Sequence, residues 1–312
     1  MPVVREKANG EEGLVNLYHL RVFLKVADYE HITRASEELV LSQPAVTKII
    51  QSLEHEVGME LVERQGRRIV LTYAGRVLHS YARRLFAFER EMEDALANLR
   101  DADAGEITLA ANTTTGVYLL PSIVARFRHS YPHVQLHVTI LNSHEIVEAI
   151  LNWTLDFGLV EGDPALLPSE LRVDVFTYDE LILVANRDHH WQGVETLAPE
   201  ALRSGELLLR EQGSGIREVI EHALLQHRVK VEPLLALPDN EAIKQMVIHG
   251  VGAAILPARA VQRELVTGDL VRIPITGVEL RAQISLVRRL DKQLSRAAQA
   301  FCDLLRSANE SG

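Results

Sequence analysis

The chain has 312 residues, 47% of them hydrophobic and 24% charged, and its 33 Lys and Arg against 43 Asp and Glu give a formal net charge of −10. That length suits a globular protein of more than one domain. No apolar run approaches a bilayer span, and the single cysteine, Cys302, excludes an internal disulfide framework. The opening MPVVREKANGEEG is polar and lacks the apolar core of a signal peptide, so residues 1–15 read as a disordered leader of a cytoplasmic protein.

Residues 31–57, HITRASEELVLSQPAVTKIIQSLEHEV, carry two apolar stripes at helical spacing: Ile32, Ala35 and Leu39, then Val46, Ile49, Ile50, Leu53 and Val57. Stripes this close must pack together. Leu41 and Ser42 form the turn, Ser42 caps the second helix, and Pro44 sits in its first turn, where a missing N–H is harmless. The opposite face presents Gln43, Thr47, Lys48 and Gln51, polar side chains that suit base edges and phosphates in a major groove. Taken alone, this pattern also fits any α-rich domain with a polar outer face. Residues 61–72, LVERQGRRIVLT, add two short β-like runs around Gln65-Gly66 with Arg64, Arg67 and Arg68 at the tip. This is a wing whose arginines would meet phosphate or the minor groove. With Arg34 and Lys48 they form a local cationic patch. The net negative charge does not oppose DNA binding, because affinity comes from the few cations that displace counterions at phosphates; binding should be salt-sensitive.

Residues 17–72 resemble the N-terminal domain of LysR-type transcriptional regulators through LYHLRVFLKVAD, TRASEELVLSQPAVTKIIQSLE and GMELVERQGRRIVLTYAG, and the resemblance continues over residues 16–306. It implies double-stranded DNA with a dyad-symmetric operator as a partner, a homodimer that usually assembles into a homotetramer, and RNA polymerase as a further candidate partner. His31 stands where the family usually has a small residue, and Lys48 and Gln51 where arginine or lysine is frequent. These departures leave the base sequence open.

Residues 73–101 are the longest uninterrupted helical pattern. Leu78, Tyr81, Leu85, Phe88, Met92, Ala95 and Leu99 recur at steps of three and four, along a helix of about 40 Å at 1.5 Å per residue. The seam could pack within its own domain, but with a small winged domain before it and Asp101-Ala102-Asp103-Ala104-Gly105 after it, pairing with a second copy is the better use. The resemblance likewise implies a dimerisation helix, and two copies would present two recognition helices.

Past Gly105 the texture alternates between strand and helix. Strands are expected at 107–112, 134–141 and 155–160, with helices at 117–129 and 143–152. A second set follows, with strands at 180–186, 206–211, 231–237 and 253–256 and helices at 215–226 and 240–249. The strand 283–288 and helix 294–306 return to the first set. Alternation implies parallel pairing, giving lobe I over 105–177 and 279–306 and lobe II over 178–278, with crossings near 176–179 and 277–280. The expected architecture is α+β and multidomain: a winged helix-turn-helix, a long linker helix, and a two-lobed α/β domain resembling periplasmic binding proteins, the family's effector domain.

Ligands in open α/β sheets collect at the carboxyl ends of strands beside helix N-termini. Four such places occur here. Asn112-Thr113-Thr114-Thr115 offers hydroxyls and amides suited to a carboxylate or inorganic oxyanion, beyond what one capping residue would need. Asn142-Ser143-His144 repeats the arrangement, although a cap alone would account for Ser143. Arg210 and Ser214, within Arg210-Glu211-Gln212-Gly213-Ser214-Gly215, could supply charge and exposed amides. Glu161-Gly162 is the weakest and could be only a turn. The resemblance places Asn112, Thr114, Thr115, His144 and Ser214 where some family members bind effector, and a small anion or carboxylate is expected rather than a bound cofactor.

Other signals are discounted. Gly250-Val251-Gly252 has Ile255 in the place of a third glycine and runs from helix to strand, the reverse of a dinucleotide fingerprint. Gly213-Ser214-Gly215 lacks a nucleophile elbow's outer glycine. His129, His133 and His137 are separated by Pro132, which breaks any helix between them, and His189-His190-Trp191 reads as a surface loop; no metal ligand set is assigned. Cys302 falls in the apolar pattern of Ala298, Phe301, Leu304 and Leu305, as a buried thiol should. An enzyme on the same two-lobed scaffold would have only His144 and Glu161 as cleft acid or base, and no catalytic residue is assigned. A transport solute-binding protein would need an export signal.

Overall fold

The structure, a computed structural model, describes residues 15–66, 68–100 and 105–310. The expected leader up to residue 14, Arg67 at the wing tip and the linker residues 101–104 lie outside the described residues. The chain forms two compact units, Met1–Glu89 and Arg90–Gly312.

In the first unit α1 (Leu17–Tyr29), α2 (Ile32–Glu38) and α3 (Gln43–Val57) precede the hairpin of β1 (Val62–Gln65) and β2 (Arg68–Leu71), and α4 (Tyr73–Arg100) follows. Local chemistry sets these boundaries. Asn16 caps α1 by accepting from the Tyr18 amide at 2.8 Å. Ser42 Oγ accepts from the Ala45 amide at 3.3 Å, Pro44 stands in the first turn, and Gly58, at φ 74°, ends α3. Between α2 and α3, Val40 is held at φ 54° and is 90% exposed, a costly backbone region for a β-branched residue. The turn is fixed by the Leu41 amide, which donates to the Ser36 carbonyl at 2.9 Å. The Glu54 carboxylate accepts from the Leu61 and Val62 amides at 2.9 and 3.2 Å, which ties the start of the wing to the end of α3. Phe23, Val26, Ala35, Val46, Ile50 and Leu53 pack with Leu61 and Ile69 into one core.

The helix α4 has two apolar faces rather than the one expected. Ala82 and Phe86 enter the winged core and Leu78 packs against it, so Leu78 leaves the expected seam. Tyr81, Leu85, Phe88 and Met92 remain exposed, joined by Val77 and Leu96; Phe88 is 66% exposed. The side chains of Ala95 and Leu99 lie outside the described residues.

In the second unit the order is β3 (Gly105–Ala111), a π-helical turn at Thr115–Leu119, α5 (Leu120–Ser130), β4 (Val134–Ile140), α6 (Ser143–Leu151), β5 (Phe157–Gly162) and β6 (Leu171–Asn186). Then come β7 (Leu207–Arg210), α7 (Gly215–Gln226), β8 (Leu235–Leu237), α8 (Asn240–Ile248), β9 (Ala253–Pro257), α9 (Ala258–Thr267), β10 (Leu270–Ile273), β11 (Arg281–Arg289) and α10 (Arg296–Glu310). The strands link in the order β4-β3-β5-β11-β6-β9-β7-β8, with β10 also on β6. Pairing is parallel for β3 with β4 and β5 and for β7 with β8 and β9. It is antiparallel wherever β6 or β11 takes part, which corrects the all-parallel expectation. The first crossing is no loop: β6 runs unbroken through 176–179, its first half paired with β11 and its second with β9 and β10. The elements α9 and β10 are additions to the expected set.

Each lobe has its own core. Ile107, Leu109, Phe127, Phe157, Ile284 and Phe301 fill lobe I together with Cys302, whose thiol burial pushes up to about 12, so it stays protonated and inert. Leu183, Leu207, Leu209, Ile216, Ile220 and Ile255 fill part of lobe II. Trp191, expected in a surface loop, is buried there. No helix among the described residues is long and apolar enough to cross a membrane.

Candidate DNA-binding face and ligand cleft

On the first unit, the start of α2, the start of α3 and the wing enclose a depression of about 310 Å³ lined by His31, Ile32, Thr33, Gln43, Thr47, Arg64, Gly66, Arg68 and Ile69. The expected DNA-binding residues Gln43, Thr47, Arg64 and Arg68 therefore share one surface. Ser42 and Pro44 stand exposed at the start of α3, with Lys48 and Gln51 exposed further along it and Arg34 exposed on α2. His31 and Thr33 join this surface beyond the expected residues. His31 sits at the N-cap of α2 without a side-chain cap bond, and its buried Nδ1 has no hydrogen-bond partner among the described residues. Its signal was the departure from the family's small residue at that position.

In the second unit the four strand-end segments do meet, and they close on one another. Glu161, the weakest candidate from sequence, is the centre. It lies within β5 and is 3% exposed. The Thr115 amide and hydroxyl both donate to its Oε1, at 2.9 and 2.7 Å. Burial pushes the Glu161 carboxyl above its ordinary value, the two Thr115 bonds pull it back, and Asp179 adds to the upward push. Asn112 Oδ1 accepts from the Glu161 amide at 2.6 Å, and its side-chain amide donates to the Leu141 carbonyl at 3.0 Å.

Contacts between the lobes complete the site. Ser143 Oγ donates to the Glu161 carbonyl at 2.8 Å and accepts from the Gly215 amide at 3.2 Å. The His144 amide donates to the Gly213 carbonyl at 3.2 Å. Thr114 Oγ1 accepts from Asn240 Nδ2 at 2.9 Å, and Asn240 Oδ1 in turn accepts from buried Arg210 at 3.3 Å. Arg210 is paired twice with Glu211, at 2.9 and 3.1 Å, so its charge is largely neutralised locally. Ser214 is buried at the N-cap of α7 without a side-chain cap bond, and Thr113 is half-buried.

Two expectations change. The His144 side chain is 68% exposed, 3.4 Å from Glu148, so the backbone of His144 rather than its ring joins the lobe contact. The ring instead lines a pocket of about 350 Å³ with Val147, Leu151 and Pro164. The two cleft groups an enzyme would use, His144 and Glu161, each have other partners and form no acid–base pair. The residue that sequence reasoning missed is Asn240, which bridges Thr114 and Arg210. It opens α8 just after β8, a fifth strand end before a helix.

A winged helix-turn-helix followed by a two-lobed α/β domain with a polar cleft defines a DNA-binding regulator with a ligand-binding domain. Two family models match the chain: the bacterial regulatory helix-turn-helix protein of the lysR family over residues 17–76, and the LysR substrate binding domain over residues 100–310. The protein belongs to the LysR family of transcriptional regulators. It is 34% identical to the uncharacterized HTH-type transcriptional regulator YeiE of Escherichia coli (strain K12), over 95% of this chain and 98% of that one. Its fold is that of CbnR, a LysR family regulator solved with its target DNA: TM-score 0.67 and 24% identity, over 94% of this chain and 100% of that one. The regulatory domain of CcmR from Synechocystis PCC6803, solved with 2-PG, is 28% identical with a TM-score of 0.60, over 66% of this chain and 98% of that one.

Proposed function

We propose that this regulator binds a dyad-symmetric operator in the cytoplasm as a homodimer paired through the exposed seam of α4, assembled further into a homotetramer, and alters its grip on DNA when a small anion occupies the cleft between its lobes. Arg34, Ser42, Gln43, Pro44, Thr47, Lys48, Gln51, Arg64, Arg67 and Arg68 contact DNA, as in a winged helix-turn-helix seated in the major groove. RNA polymerase is the expected further partner at a promoter. The CbnR complex with DNA and the 2-PG complex of CcmR support the two halves of this reading.

One observation carries the choice of an anion, either an inorganic oxyanion or a carboxylate. The Thr115 amide and hydroxyl converge on a single carboxylate oxygen at 2.9 and 2.7 Å, at the start of a helical segment. Paired donors of this kind at a helix start are a receptor for a carboxylate or oxyanion, and here a glutamate of the chain itself fills it. The buried hydroxyls of Thr114 and Ser214 add further donors toward an incoming anion.

The test pairs calorimetric titration of the purified protein with inorganic sulfate, inorganic phosphate and short carboxylates against DNA footprinting with and without each. Saturable binding of one of them, with a changed footprint on a dyad-symmetric site, is the expected result. A footprint on such a site that is indifferent to every anion, none of which binds, would overturn the anion reading and leave the DNA reading intact.

A further inference from the structure

We propose that His189, His190 and Glu206 form a binding site for a divalent transition-metal ion of the zinc type on the surface of lobe II, separate from the anion cleft. One ligand atom from each of the three lies within 4.8 Å of the others. Two imidazoles, one carboxylate and a water are a donor set that suits zinc and its neighbours.

Both pieces of backbone that carry the ligands are held in place. The two histidines occupy the turn that leaves β6, where the His189 amide donates to the Asn186 carbonyl at 3.2 Å and the Gln192 amide to the His189 carbonyl at 2.8 Å. Trp191 follows directly and anchors the turn by burying its indole in the lobe II core. Glu206 immediately precedes β7, and its carbonyl accepts from the Ala253 amide at 3.0 Å. At the carboxylate, Ser204 Oγ donates to Oε2 at 3.1 Å, the kind of outer partner that orients a metal ligand. His190 Nε2 lies 3.6 Å from the same oxygen.

The remaining adjustments are small. Tetrahedral bonds of about 2.0–2.2 Å bring donor atoms to roughly 3.2–3.6 Å from one another, so the side chains close by about 1–1.5 Å, within reach of rotamer changes at exposed His190. The His189 Nδ1 accepts from the Trp191 amide at 3.2 Å, and an ion bound there takes that lone pair from a long N–H···N contact. The histidine rings are already stacked, 4.5 Å between centroids and 26° between planes, which keeps the two imidazoles next to each other. A simple ion pair between exposed His190 and Glu206 would contribute little. Sequence spacing conceals the group, because Glu206 lies far along the chain from the histidines.

Calorimetry with Zn²⁺ alone on the full-length protein, and Co²⁺ visible absorption as a report of ligand geometry, test the site. The expected result is one ion per chain, with affinity lowered at least about tenfold in both His190→Ala and Glu206→Gln and unchanged in His137→Ala. All the substituted side chains are at least partly exposed, and circular dichroism confirms the fold of each variant. Identical isotherms for the wild type and the His190 and Glu206 variants would overturn the proposal. So would the absence of bound Zn²⁺, or a loss confined to His137→Ala.

Discussion

Closing the lobes depends on a glycine. At Gly215 a Cβ would fall 1.7 Å from the Glu161 carbonyl oxygen and 2.7 Å from Ser143 Oγ. The first is backbone of β5 and cannot rotate aside, so in Gly215→Ala the start of α7 must retreat by roughly 1.5–2 Å to reach ordinary van der Waals distance. That retreat breaks the Gly215 to Ser143 bond and the neighbouring His144 to Gly213 bond, both 3.2 Å long. Each such bond contributes about 0.5–1.5 kcal/mol net, so the closed arrangement loses about 1–3 kcal/mol, a factor of about 5–150 in the ratio of closed to open lobes. Alanine is favoured over glycine at a helical position, so the helix itself is not weakened. Hydrogen exchange at the His144 amide and at the amide of the substituted position should therefore speed up by that factor while exchange in the lobe cores stays unchanged, and the affinity of the anion identified by titration should fall in parallel. Unchanged exchange at both amides, with unchanged anion affinity, would refute the argument that this contact holds the lobes together.

Four further outcomes are expected. Burial raises the Glu161 carboxyl above its ordinary 4.5, so the folded chain keeps a proton that the unfolded chain gives up. The stability from this group is full below 4.5 and is lost as pH rises through the folded value, with a slope of at most about 1.36 kcal/mol per pH unit. Urea melts across this range should show Glu161→Gln missing that slope; parallel pH profiles for variant and wild type would count against it. Replacing Arg64 and Arg68 with alanine should reduce the slope of log affinity against log salt by about 0.9 for each phosphate no longer neutralised, read by DNA titration between low and moderate salt, and an unaltered slope takes the wing away from the phosphates. Val40→Asn relieves a β-branched residue at φ 54° and should raise stability by about 1 kcal/mol, visible as a higher urea midpoint; no gain would mean the turn is not strained. Phe88→Asp puts a charge into the exposed seam of α4 and should lower the mass observed by analytical ultracentrifugation, whereas an unchanged mass places the dimer contact elsewhere.

The winged unit was legible because its signals are local. A stripe at 3.6-residue spacing, a serine cap, a proline in the first turn and two short runs around Gln65-Gly66 each depend on a few neighbouring residues, and each element formed as read. The α4 seam was half legible. Periodicity finds apolar residues but cannot say which neighbour takes them, and Leu78 went inward with Ala82 and Phe86. The lobe crossing falls where expected, near 176–179, but the strand that runs through it was not read, because β6 carries charge at Asp174, Asp179 and Glu180. That pattern breaks an apolar run, yet here it belongs to a strand whose pairing with β11 satisfies its backbone. Glu161 was undervalued for a related reason: a Glu-Gly pair reads as a turn, and only the pairing of β5 with β11 and the contacts from Asn112 and Thr115 put it in the interior. Asn240 passed unnoticed because its partners, Thr114 and Arg210, are remote in sequence.

The cleft is built from groups that make poor glue, and this bears on how it could work. Asn112, Thr114, Thr115, Ser143, Glu161, Arg210, Ser214 and Asn240 are all buried there, where a stable interface would hold apolar side chains. A buried hydrogen bond between polar groups gives back only about 0.5–1.5 kcal/mol beyond the water it displaces, and a buried carboxyl with a raised pKa subtracts from that sum. Closed and open lobes should therefore differ by only a few kcal/mol. A ligand can move such an equilibrium only through its differential affinity for the two states, and a preference of about 2–3 kcal/mol is enough to carry a near-balanced pair to one side. An anion that adds two charge-assisted hydrogen bonds in the closed state supplies about that much. The same polar content that makes the cleft weak as an interface leaves its balance within reach of a ligand with a preference of that size.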